Sequence, residues 1–494
     1  MNFKKHVNMK NLLFENKNTK QTIVKNVFWL GFTELIQKGV AFLVIVWLAR
    51  YFGPPVYGKW AFALNFTILF SVLADFGFSY LSVREIARDK SKTSYYIDNI
   101  IMMKLILGFV ALALMIVTIW LLEKDHELIK LVLFLGIYSV LNTFVRFFKS
   151  VFRANEKMQY EAASQMLQSL CLLGLVLFLI LNKGSALMVS YAYIVAVLIG
   201  IVFSLAIIWR NFSKFFLKID LKKCKQILKK SWPFALSSVA TFTYFRIDTV
   251  MLGFLKENEI VGYYNAAYNV VFIMIAGISL FVSAIFPLLS NLYKNCINKF
   301  ESSINIFFKL IFFLSFPVII FFFFFSKPII SMLYGKEFVE YSPLIFKILV
   351  WSVFVLYNYA VFAIGLSASD KQKFYLKGVM LGAIFNVLTN LIVIPKYSCY
   401  GAAVTTVLTE IVVCSYMVYK FLDSNKIKLP IGFIMKVTFA SLGMFVMIFG
   451  LLQLKINLII AMTIGLLVYI VFIVVLKVFK KNLFSLIKSV DLIK

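Results

Sequence analysis

Histidine, cysteine and charged residues are scarce in this sequence, and each shortage excludes a class of protein. Only His6 and His126 occur, and the five cysteines lie far apart with no Cys-x-x-Cys pair, so neither a metal site nor a disulfide framework is supported. We therefore expect no metal ion and no bound cofactor. Charged residues form only 15% of the chain and hydrophobic residues 62%, whereas a soluble protein is nearer a quarter charged. A soluble fold is thus excluded.

Catalytic patterns are lacking as well. The sequence has no G-x-x-x-x-G-K-[ST] phosphate loop, so ATP hydrolysis by this chain is not expected. Both histidines lie outside the apolar runs, and no nucleophile stands in an arrangement with a base. The sequence therefore does not predict an enzyme.

Long apolar runs are what the sequence has in abundance. They recur almost from end to end, and each is long enough to cross a bilayer as one helix. We predict an all-α polytopic membrane protein with about 14 transmembrane helices. The predicted spans centre near residues 27–49, 60–80, 100–122, 128–148, 161–181, 187–208, 232–254, 263–288, 304–326, 344–366, 376–394, 400–420, 431–453 and 457–476.

The net charge of +29 would favour nucleic-acid binding in a soluble protein, but a membrane protein offers a simpler cause. With the N-terminus placed inside, most of the 51 Lys and Arg residues fall on the inner segments, as the positive-inside rule requires. We predict that both termini are cytoplasmic and that no nucleic acid is bound. The most basic connection, residues 210–230, is expected to lie on the inner surface.

Two pairs of segments resemble each other, six predicted spans apart. Residues 58–65 (GKWAFALN) and 262–269 (GYYNAAYN) share a first glycine, an aromatic third residue and a final asparagine. Residues 154–160 (ANEKMQY) and 368–374 (ASDKQKF) form the second pair. Because six is an even number of spans, both copies face the same way in the membrane. The repeat predicts two pseudo-symmetric six-helix lobes, followed by two C-terminal helices.

These lobes define the expected organisation of the chain. An architecture of two repeated lobes is typical of transporters that work by alternating access, with the substrate path between the lobes. The predicted parts are a cytoplasmic N-terminal segment (1–26), an N-lobe with spans one to six (27–209), a basic cytoplasmic loop (210–230), a C-lobe with spans seven to twelve (231–421), spans thirteen and fourteen (431–476) and a cytoplasmic tail (477–494).

Charged residues within the spans are sorted by their depth. Lys104, Lys309, Lys347 and Lys436 lie close to the ends of spans, where their long side chains are expected to reach the membrane surface. Deeper positions hold Glu34, Lys38, Arg246, Asp248 and Glu410, and Asp75 is intermediate. A charge at such depth is costly and needs a partner or a function.

Helical geometry indicates how these deep groups are directed. Glu34 and Lys38 stand at i and i+4, so they share a face and are expected to pair. Arg246 and Asp248 are about 200° apart around a helix, so they cannot both face one partner. Arg246 then needs another anion. That anion is either the phosphate of a substrate, which suits the planar guanidinium, or a fixed carboxylate such as Glu34 or Glu410.

Other polar residues in the spans are candidates for coupling or for helix packing. Glu34, Asp75, Asp248 and Glu410 are candidates for proton or cation coupling, because intramembrane carboxylates often serve in proton relays. Asn65 and Asn269, at the ends of the first repeated pair, are expected to make interhelical hydrogen bonds or to line a cavity.

Motifs along residues 25–420 resemble those of the polysaccharide-unit flippases of the Wzx type. This family belongs to the superfamily of multidrug, oligosaccharidyl-lipid and polysaccharide exporters. The matching motifs, in chain order, are LARYFGPPVYG at 48–58, LADFGF at 73–78, VREIAR at 83–88, DTVMLG at 248–253, VGYYNAA at 261–267, LYG at 333–335 with Phe338, Asn386 with Asn390, IPKY at 394–397 and GAA at 401–403.

The resemblance implies a fold of two six-helix bundles with two extra helices. It implies translocation of an undecaprenyl-pyrophosphate-linked oligosaccharide, for O-antigen, capsule or a related polysaccharide, across a bacterial cytoplasmic membrane. Coupling to an H+ or Na+ gradient is implied as a candidate energy source. The implied partners are the lipid-linked oligosaccharide, membrane lipids, and the polymerase and chain-length proteins of the same pathway.

A central cavity rich in Arg and Lys is also expected from the resemblance. Arg246 and Lys38 fit this expectation, although deep cations are few. Either the sugar unit is not strongly acidic, or the interfacial Arg50, Arg84 and Arg146 contribute to substrate binding.

The remaining alternatives are an exporter of lipid II or of a small molecule, and a membrane polysaccharide polymerase or ligase. A deep Arg argues against a cargo of organic cations. The longest external loop, about residues 327–343, is too short for the catalytic loop of a polymerase.

Overall fold

The described part of the chain in a computed structural model comprises residues 19–122, 125–212, 220–425 and 429–479. Side chains are described from Trp29 onward, apart from residues 30, 280 and 283. Within these ranges the secondary structure is helical and contains no strand. The predicted N-terminal segment therefore lies mostly outside the described residues, as do residues 213–219 of the basic loop and residues 480–494 of the tail.

The first seven helices run from the N-terminal side to the middle of the chain. They are α1 (Thr19–Asp75), α2 (Phe78–Arg88), α3 (Thr93–Leu122), α4 (His126–Ala154), α5 (Met158–Leu181), α6 (Ala186–Asn211) and α7 (Leu221–Leu255). The helices that follow are α8 (Asn258–Asn295), α9 (Ile297–Phe324), α10 (Ser326–Tyr334), α11 (Ser342–Ala368), α12 (Gln372–Asn425), α13 (Ile431–Gln453) and α14 (Leu458–Val475).

Eleven helical segments of the described chain are long and apolar enough to cross a membrane. Two of them, α1 and α12, each contain two predicted spans joined across a kink. The predicted seventh span lies in α7, which is not among the eleven because its polar residues lower its mean hydropathy. When α1 and α12 are counted as two spans each and α7 is added, the described helices contain all the predicted spans. The prediction of an all-α polytopic membrane protein is confirmed.

The kink in α1 has a clear cause in the sequence. Gly53 has φ 69° and ψ 173°, a backbone conformation that glycine adopts without steric cost. Pro54 and Pro55 follow and have no backbone N–H to donate to the preceding turn. The chain therefore changes direction between the first and second spans. A similar break occurs in α12 at Ser398, three residues after Pro395.

Connections expected as loops contain further helix. Residues 78–88 form the short helix α2, and residues 221–230 of the predicted basic loop form the first turns of α7. Asp220 caps α7, because its carboxylate accepts hydrogen bonds from the backbone N–H groups of Lys222 and Lys223. The span and its basic extension are therefore one continuous helix.

The described residues divide into two compact units, one ending at Gly262 and the other beginning at Tyr263. In the first unit α1 is the central helix, because it packs against α3, α4, α5 and α7. Around it, α4 packs on α6, and α2 packs on α4 and α7. Large side chains of α1 fill the interior, and Trp60, Phe62 and Phe66 are buried there.

The second unit is built largely from aromatic packing. Helices α11 and α12 pack along each other, α9 packs on α11, and α13 pairs with α14. Phe312 of α9 contacts Phe354 of α11 with ring centroids 6.0 Å apart, and Phe316 contacts the same ring at 4.5 Å. Such offset ring pairs contribute stability beyond their buried area.

The second repeated pair has the same local structure in both copies. The helices end at Ala154 and Ala368, and two residues later Glu156 and Asp370 both have φ 58°. After each left-handed residue, a lysine N–H bonds back to a carbonyl five residues earlier, Lys157 to Phe152 and Lys371 to Leu366. This is the six-to-one bond of a Schellman motif, so the sequence similarity reflects a repeated helix end.

The first repeated pair brings two glycines to a close backbone crossing in the first unit. A Cβ atom on Gly58 of α1 would lie 1.7 Å from the carbonyl oxygen of Asn258, at the start of α8. A Cβ on Gly262 would lie 2.1 Å from the carbonyl oxygen of Pro54. Only glycine fits at either position, which explains why both copies of the repeat begin with it.

Candidate anion-binding site

Arg246 of α7 is held by an amide on the central helix. Its Nη1 donates to Oδ1 of Asn65 at 2.9 Å. Asn65 is buried, and its Nδ2 donates to the carbonyl oxygen of Ala61 at 2.8 Å, which turns the amide oxygen toward the guanidinium. Asn65 thus makes the interhelical hydrogen bond that its residue type predicts. In this contact the acceptor is a neutral amide oxygen, which orients the guanidinium of Arg246.

Asp248 is placed differently from Arg246, as the helical geometry predicts. Asp248 and Tyr244, one turn apart on α7, are both buried, whereas Arg246 is half-buried. The two charged residues therefore differ in their surroundings, and each has to be considered by itself.

Arg146 of α4 is the second guanidinium of this region. Its Cζ lies 5.5 Å from the centroid of the Phe242 ring of α7, and its Nη2 lies 3.5 Å from Oγ of Ser71 on α1. Its Nε is buried, and no described residue accepts a hydrogen bond from it. A buried donor without an acceptor is costly, and a bound anion would satisfy it.

The two guanidinium groups belong to the same polar region. Both Arg146 and Arg246 act electrostatically on the hydroxyl group of Tyr138, which lies on α4 two turns before Arg146. Asn65 and Ser71 on α1, Tyr138 and Arg146 on α4, and Arg246 on α7 thus define the candidate anion-binding site.

A buried ion pair adjoins this site. Lys104 of α3 is 0% exposed, and its Nζ lies 2.7 Å from Oδ1 of Asp75, which is 6% exposed. Ser79 donates a further hydrogen bond to Asp75 at 2.8 Å, and Arg146 acts electrostatically on the same carboxylate. The prediction that Lys104 reaches the membrane surface is therefore wrong. Its side chain is enclosed by protein, and a buried ammonium is stable only beside a carboxylate.

Two further cations, Lys149 and Arg153, lie on α4 beyond Arg146 and are not among the predicted site residues. Lys149 donates to Oε1 of Gln165 on α5. Arg153 makes a bidentate contact with Glu161 on α5, with distances of 2.8 and 2.6 Å. Arg146, Lys149 and Arg153 stand at i, i+3 and i+7, which places them on one helix face. This periodicity is visible in the sequence and was the signal that could have identified them.

Glu34 and Lys38 form the predicted i, i+4 pair on α1. Nζ of Lys38 lies 2.6 Å from Oε1 of Glu34, and both side chains are partly exposed. Glu34 also acts electrostatically on Arg153. The carboxylate of Glu34 is thus paired with a cation of its own helix.

Arg50 and Arg84 are both exposed, on α1 and α2 respectively. Arg50 is exposed on α1, three residues before Gly53. Arg84 is exposed on α2, where its Nε and Nη2 each lie 3.0 Å from Glu85 and its Cζ lies 5.1 Å from the Phe234 ring. Glu85 also pairs with Lys230 at 3.6 Å, which ties α2 to the basic first turns of α7.

In the second unit the candidate polar residues have protein partners. Glu410 of α12 is buried and accepts a hydrogen bond from the Tyr359 hydroxyl of α11 at 3.0 Å. Asn269 of α8 donates to the carbonyl oxygen of Asn265 in its own helix at 2.7 Å. Glu410 thus lies in a polar contact between two helices, as a cavity or coupling residue would.

The other end of α4 is fixed by an ion pair outside the spans. Lys59 lies 2.8 Å from Asp125 and 2.7 Å from Glu127, which stand at the start of α4. The hydrogen bond from Lys59 holds the pKa of the Asp125 carboxyl below its usual range. This contact ties α1 to α4 at the end opposite to Arg153.

Two families match this chain. The family described as "Polysaccharide biosynthesis protein" matches residues 23–293, and the family described as "MatE" matches residues 233–392. The first match contains the whole candidate anion-binding site.

Named relatives are similar at low identity over most of their length. A Shigella dysenteriae protein provisionally named an O-antigen transporter is 23% identical over 387 residues, which cover 76% of this chain and 94% of that protein. The Staphylococcus aureus capsular polysaccharide biosynthesis protein CapF is 24% identical over 417 residues, covering 81% and 99%.

Among solved structures, one described as the lipid II flippase MurJ in an inward closed conformation superimposes with a TM-score of 0.72. It is 18% identical, with 91% of this chain and 98% of that chain covered. An inward-facing MATE transporter follows with a TM-score of 0.63, 15% identity and coverage of 80% and 99%. These structures share the fold of this chain.

Proposed function

Because this chain belongs to the polysaccharide biosynthesis protein family, which matches residues 23–293, we propose that it is a flippase for lipid-linked oligosaccharides. In this proposal it translocates an undecaprenyl-pyrophosphate-linked repeat unit of O-antigen, capsule or a related surface polysaccharide by alternating access. A role as a transporter, and not as an enzyme, is proposed because a relative is named an O-antigen transporter. The membrane is proposed to be the bacterial cytoplasmic membrane, with both termini in the cytoplasm.

The observation that carries the proposal is the buried Nε of Arg146, which has no described hydrogen-bond acceptor. A pyrophosphate group is anionic and offers several acceptor oxygens, and a guanidinium binds such oxygens with two parallel, charge-assisted hydrogen bonds. Nε of Arg146 is a buried donor without a described acceptor, and Arg246 is oriented by a neutral amide. A bound diphosphate would supply an acceptor for Nε of Arg146.

Energy for transport is proposed to come from an H+ or Na+ gradient. Asp248 and Glu410 are the better candidates for the coupling group, because Asp75 is already compensated by the buried ammonium of Lys104 and Glu34 is paired with Lys38. A coupling carboxylate has to change its protonation or ion occupancy, and a close fixed cation opposes that change. The polymerase and chain-length proteins of the same pathway are proposed partners.

A transport assay tests the function directly. Purified protein is reconstituted into liposomes that contain a fluorescent short glycan linked to undecaprenyl pyrophosphate, and dithionite is added to bleach the label in the outer leaflet. We expect the protected fraction to fall below one half, because labelled lipid reaches the outer leaflet. In liposomes with the Arg246→Ala variant, matched in protein content, the protected fraction should fall much more slowly.

The same assay separates the alternatives. Transport of labelled lipid II without transport of the oligosaccharide lipid would overturn the proposed substrate in favour of lipid II. Formation of longer glycan chains from the lipid-linked unit would instead reveal a polymerase. The glycan that accumulates on its lipid carrier in a deletion strain would identify the sugar unit.

A further inference from the structure

The three cations on one face of α4 differ in the kind of group that accepts their hydrogen bonds. Arg153 has a bidentate carboxylate partner in Glu161, with contacts of 2.8 and 2.6 Å. Lys149 has a neutral amide partner in Gln165. Arg146 has only a hydroxyl at 3.5 Å among its described hydrogen-bond partners, and its Nε has none. From the C-terminal end of α4 toward its middle, the hydrogen-bond partner therefore changes from a carboxylate to an amide and then to a hydroxyl.

The partners come from one face of a single neighbouring helix. Glu161 and Gln165 stand at i and i+4 on α5, and both are buried. The Glu161 side chain is only 4% exposed, whereas its partner Arg153 is 50% exposed. The carboxylate is therefore fixed in place, while the guanidinium can contact a ligand without leaving the reach of Glu161.

We propose that Arg153, Lys149 and Arg146 form a graded relay for a diphosphate, in which Glu161 is a built-in counter-anion that competes with the ligand for Arg153. This inference rests on the proposed function and specifies how the same site takes its substrate. The ligand first displaces Glu161 from Arg153, and it then passes to Lys149 and Arg146, which have no carboxylate to displace among their described hydrogen-bond and ion-pair partners. Recombination of Glu161 with Arg153 follows behind the ligand.

The spacing of the cations favours two phosphoryl groups over one. Residues at i and i+3 on a helix are neighbours, with their Cβ atoms about 5–6 Å apart, so adjacent cations of the relay can hold one phosphoryl group each. A monophosphate brings only one phosphoryl group to these positions, so it cannot supply a separate group to each cation. The relay should therefore discriminate between the diphosphate and monophosphate forms of the same lipid.

Binding measurements on the full-length purified protein test the relay with undecaprenyl pyrophosphate and undecaprenyl monophosphate as probes. Glu161→Gln should tighten binding of the pyrophosphate by about fivefold, the effect of a half-exposed ion pair that no longer competes. The same variant should transport the lipid-linked glycan more slowly, because release past Arg153 is retarded. Lys149→Gln should weaken pyrophosphate binding more than monophosphate binding.

Two controls separate the relay from a purely structural ion pair. Glu127→Gln removes a carboxylate from the opposite end of the same helix, where it pairs with Lys59, and should leave both affinities unchanged. The double variant Glu161→Gln with Arg153→Gln should lose the gain in affinity, because the cation freed by the first substitution is gone.

The direction in which Glu161→Gln changes the affinity for undecaprenyl pyrophosphate distinguishes the relay from a purely structural ion pair. If the ion pair is only structural, Glu161→Gln should bind undecaprenyl pyrophosphate more weakly than the wild type or equally well. Either result would overturn the relay. The proposed function would stay intact as long as the wild-type protein binds this lipid. Wild-type protein that binds neither lipid would overturn both. If Glu161→Gln protein is unstable, Glu161→Asp keeps the charge on a shorter side chain. Glu161→Asp should then show a smaller gain in affinity for undecaprenyl pyrophosphate than Glu161→Gln. A loss of affinity would contradict the relay.

Discussion

The guanidinium of Arg246 and the amide oxygen of Asn65 are joined across two helices by a hydrogen bond of 2.9 Å. Asn65 is fixed in turn by its bond to Ala61 of its own helix. A neutral acceptor held in this way orients a cation without removing its charge. This is the arrangement expected of a residue that binds an anionic ligand, since a carboxylate in the place of Asn65 would compete with that ligand.

Replacement of Arg246 tests its role as an anion contact. Arg246→Ala should lower the rate of flipping by about 10- to 100-fold, because a hydrogen bond to a charged group contributes about 1.5–3 kcal/mol. Arg246→Lys should keep part of the rate, since the charge remains while the planar fork is lost. The liposome assay measures both variants, and Arg88→Ala, an exposed arginine at the end of α2, is the matched control. Full activity of Arg246→Ala at equal protein content would refute the assignment.

Asn65→Asp distinguishes a binding role of Arg246 from a structural one. The substitution keeps the size of the side chain and places a carboxylate against the guanidinium. If Arg246 only ties α7 to α1, the stronger contact should preserve or raise activity. If it binds the diphosphate, the new carboxylate neutralises it, and binding of undecaprenyl pyrophosphate should weaken by about tenfold. Measured affinity of the variant for this lipid, beside its melting temperature, decides between the two roles.

The buried pair Asp75 and Lys104 should stabilise the protein only as a pair. Lys104→Met leaves a buried carboxylate without its ammonium partner and should destabilise the protein by about 3–5 kcal/mol. The double variant Lys104→Met with Asp75→Asn removes both charges and should recover much of that loss. Thermal unfolding in detergent measures this cycle. Equal destabilisation in the single and double variants would contradict the coupling of the two residues.

The sequence predicts those features of the site that depend on helix periodicity. The pairing of Glu34 with Lys38 follows from 3.6 residues per turn, and the structure confirms it. The separation of Arg246 from Asp248 rests on the same periodicity, and α7 is helical at both positions. The apolar runs predict the spans for the same reason, because length and composition are local properties. Only the connections differ, where α2 and the first turns of α7 are helical.

Partners that come from distant parts of the chain could not be predicted. Asn65 and Arg246 are 181 residues apart, and their contact depends on how α1 packs against α7. Lys104 shows the same limit, because its position near a span end favours contact with the membrane surface. The packing of α1, α3 and α4 encloses it instead, and the nearest compensation is Asp75.

The close backbone approach at Gly58 and Gly262 can be tested by substitution. The test shows whether this approach requires the glycine that begins each copy of the repeat. Gly58→Ala and Gly262→Ala should each destabilise the protein, because the added Cβ would lie 1.7 or 2.1 Å from a backbone carbonyl oxygen that cannot move alone. Gly450→Ala is the matched control, since a Cβ on Gly450 of α13 meets nothing within 4 Å. That control should be neutral or stabilising by up to about 1 kcal/mol, as alanine is the better helix former. Melting temperatures of the three variants provide the comparison. If Gly58→Ala and Gly262→Ala melt like Gly450→Ala, the two helices do not cross at these glycines, and the shared first residue of the repeat has another cause.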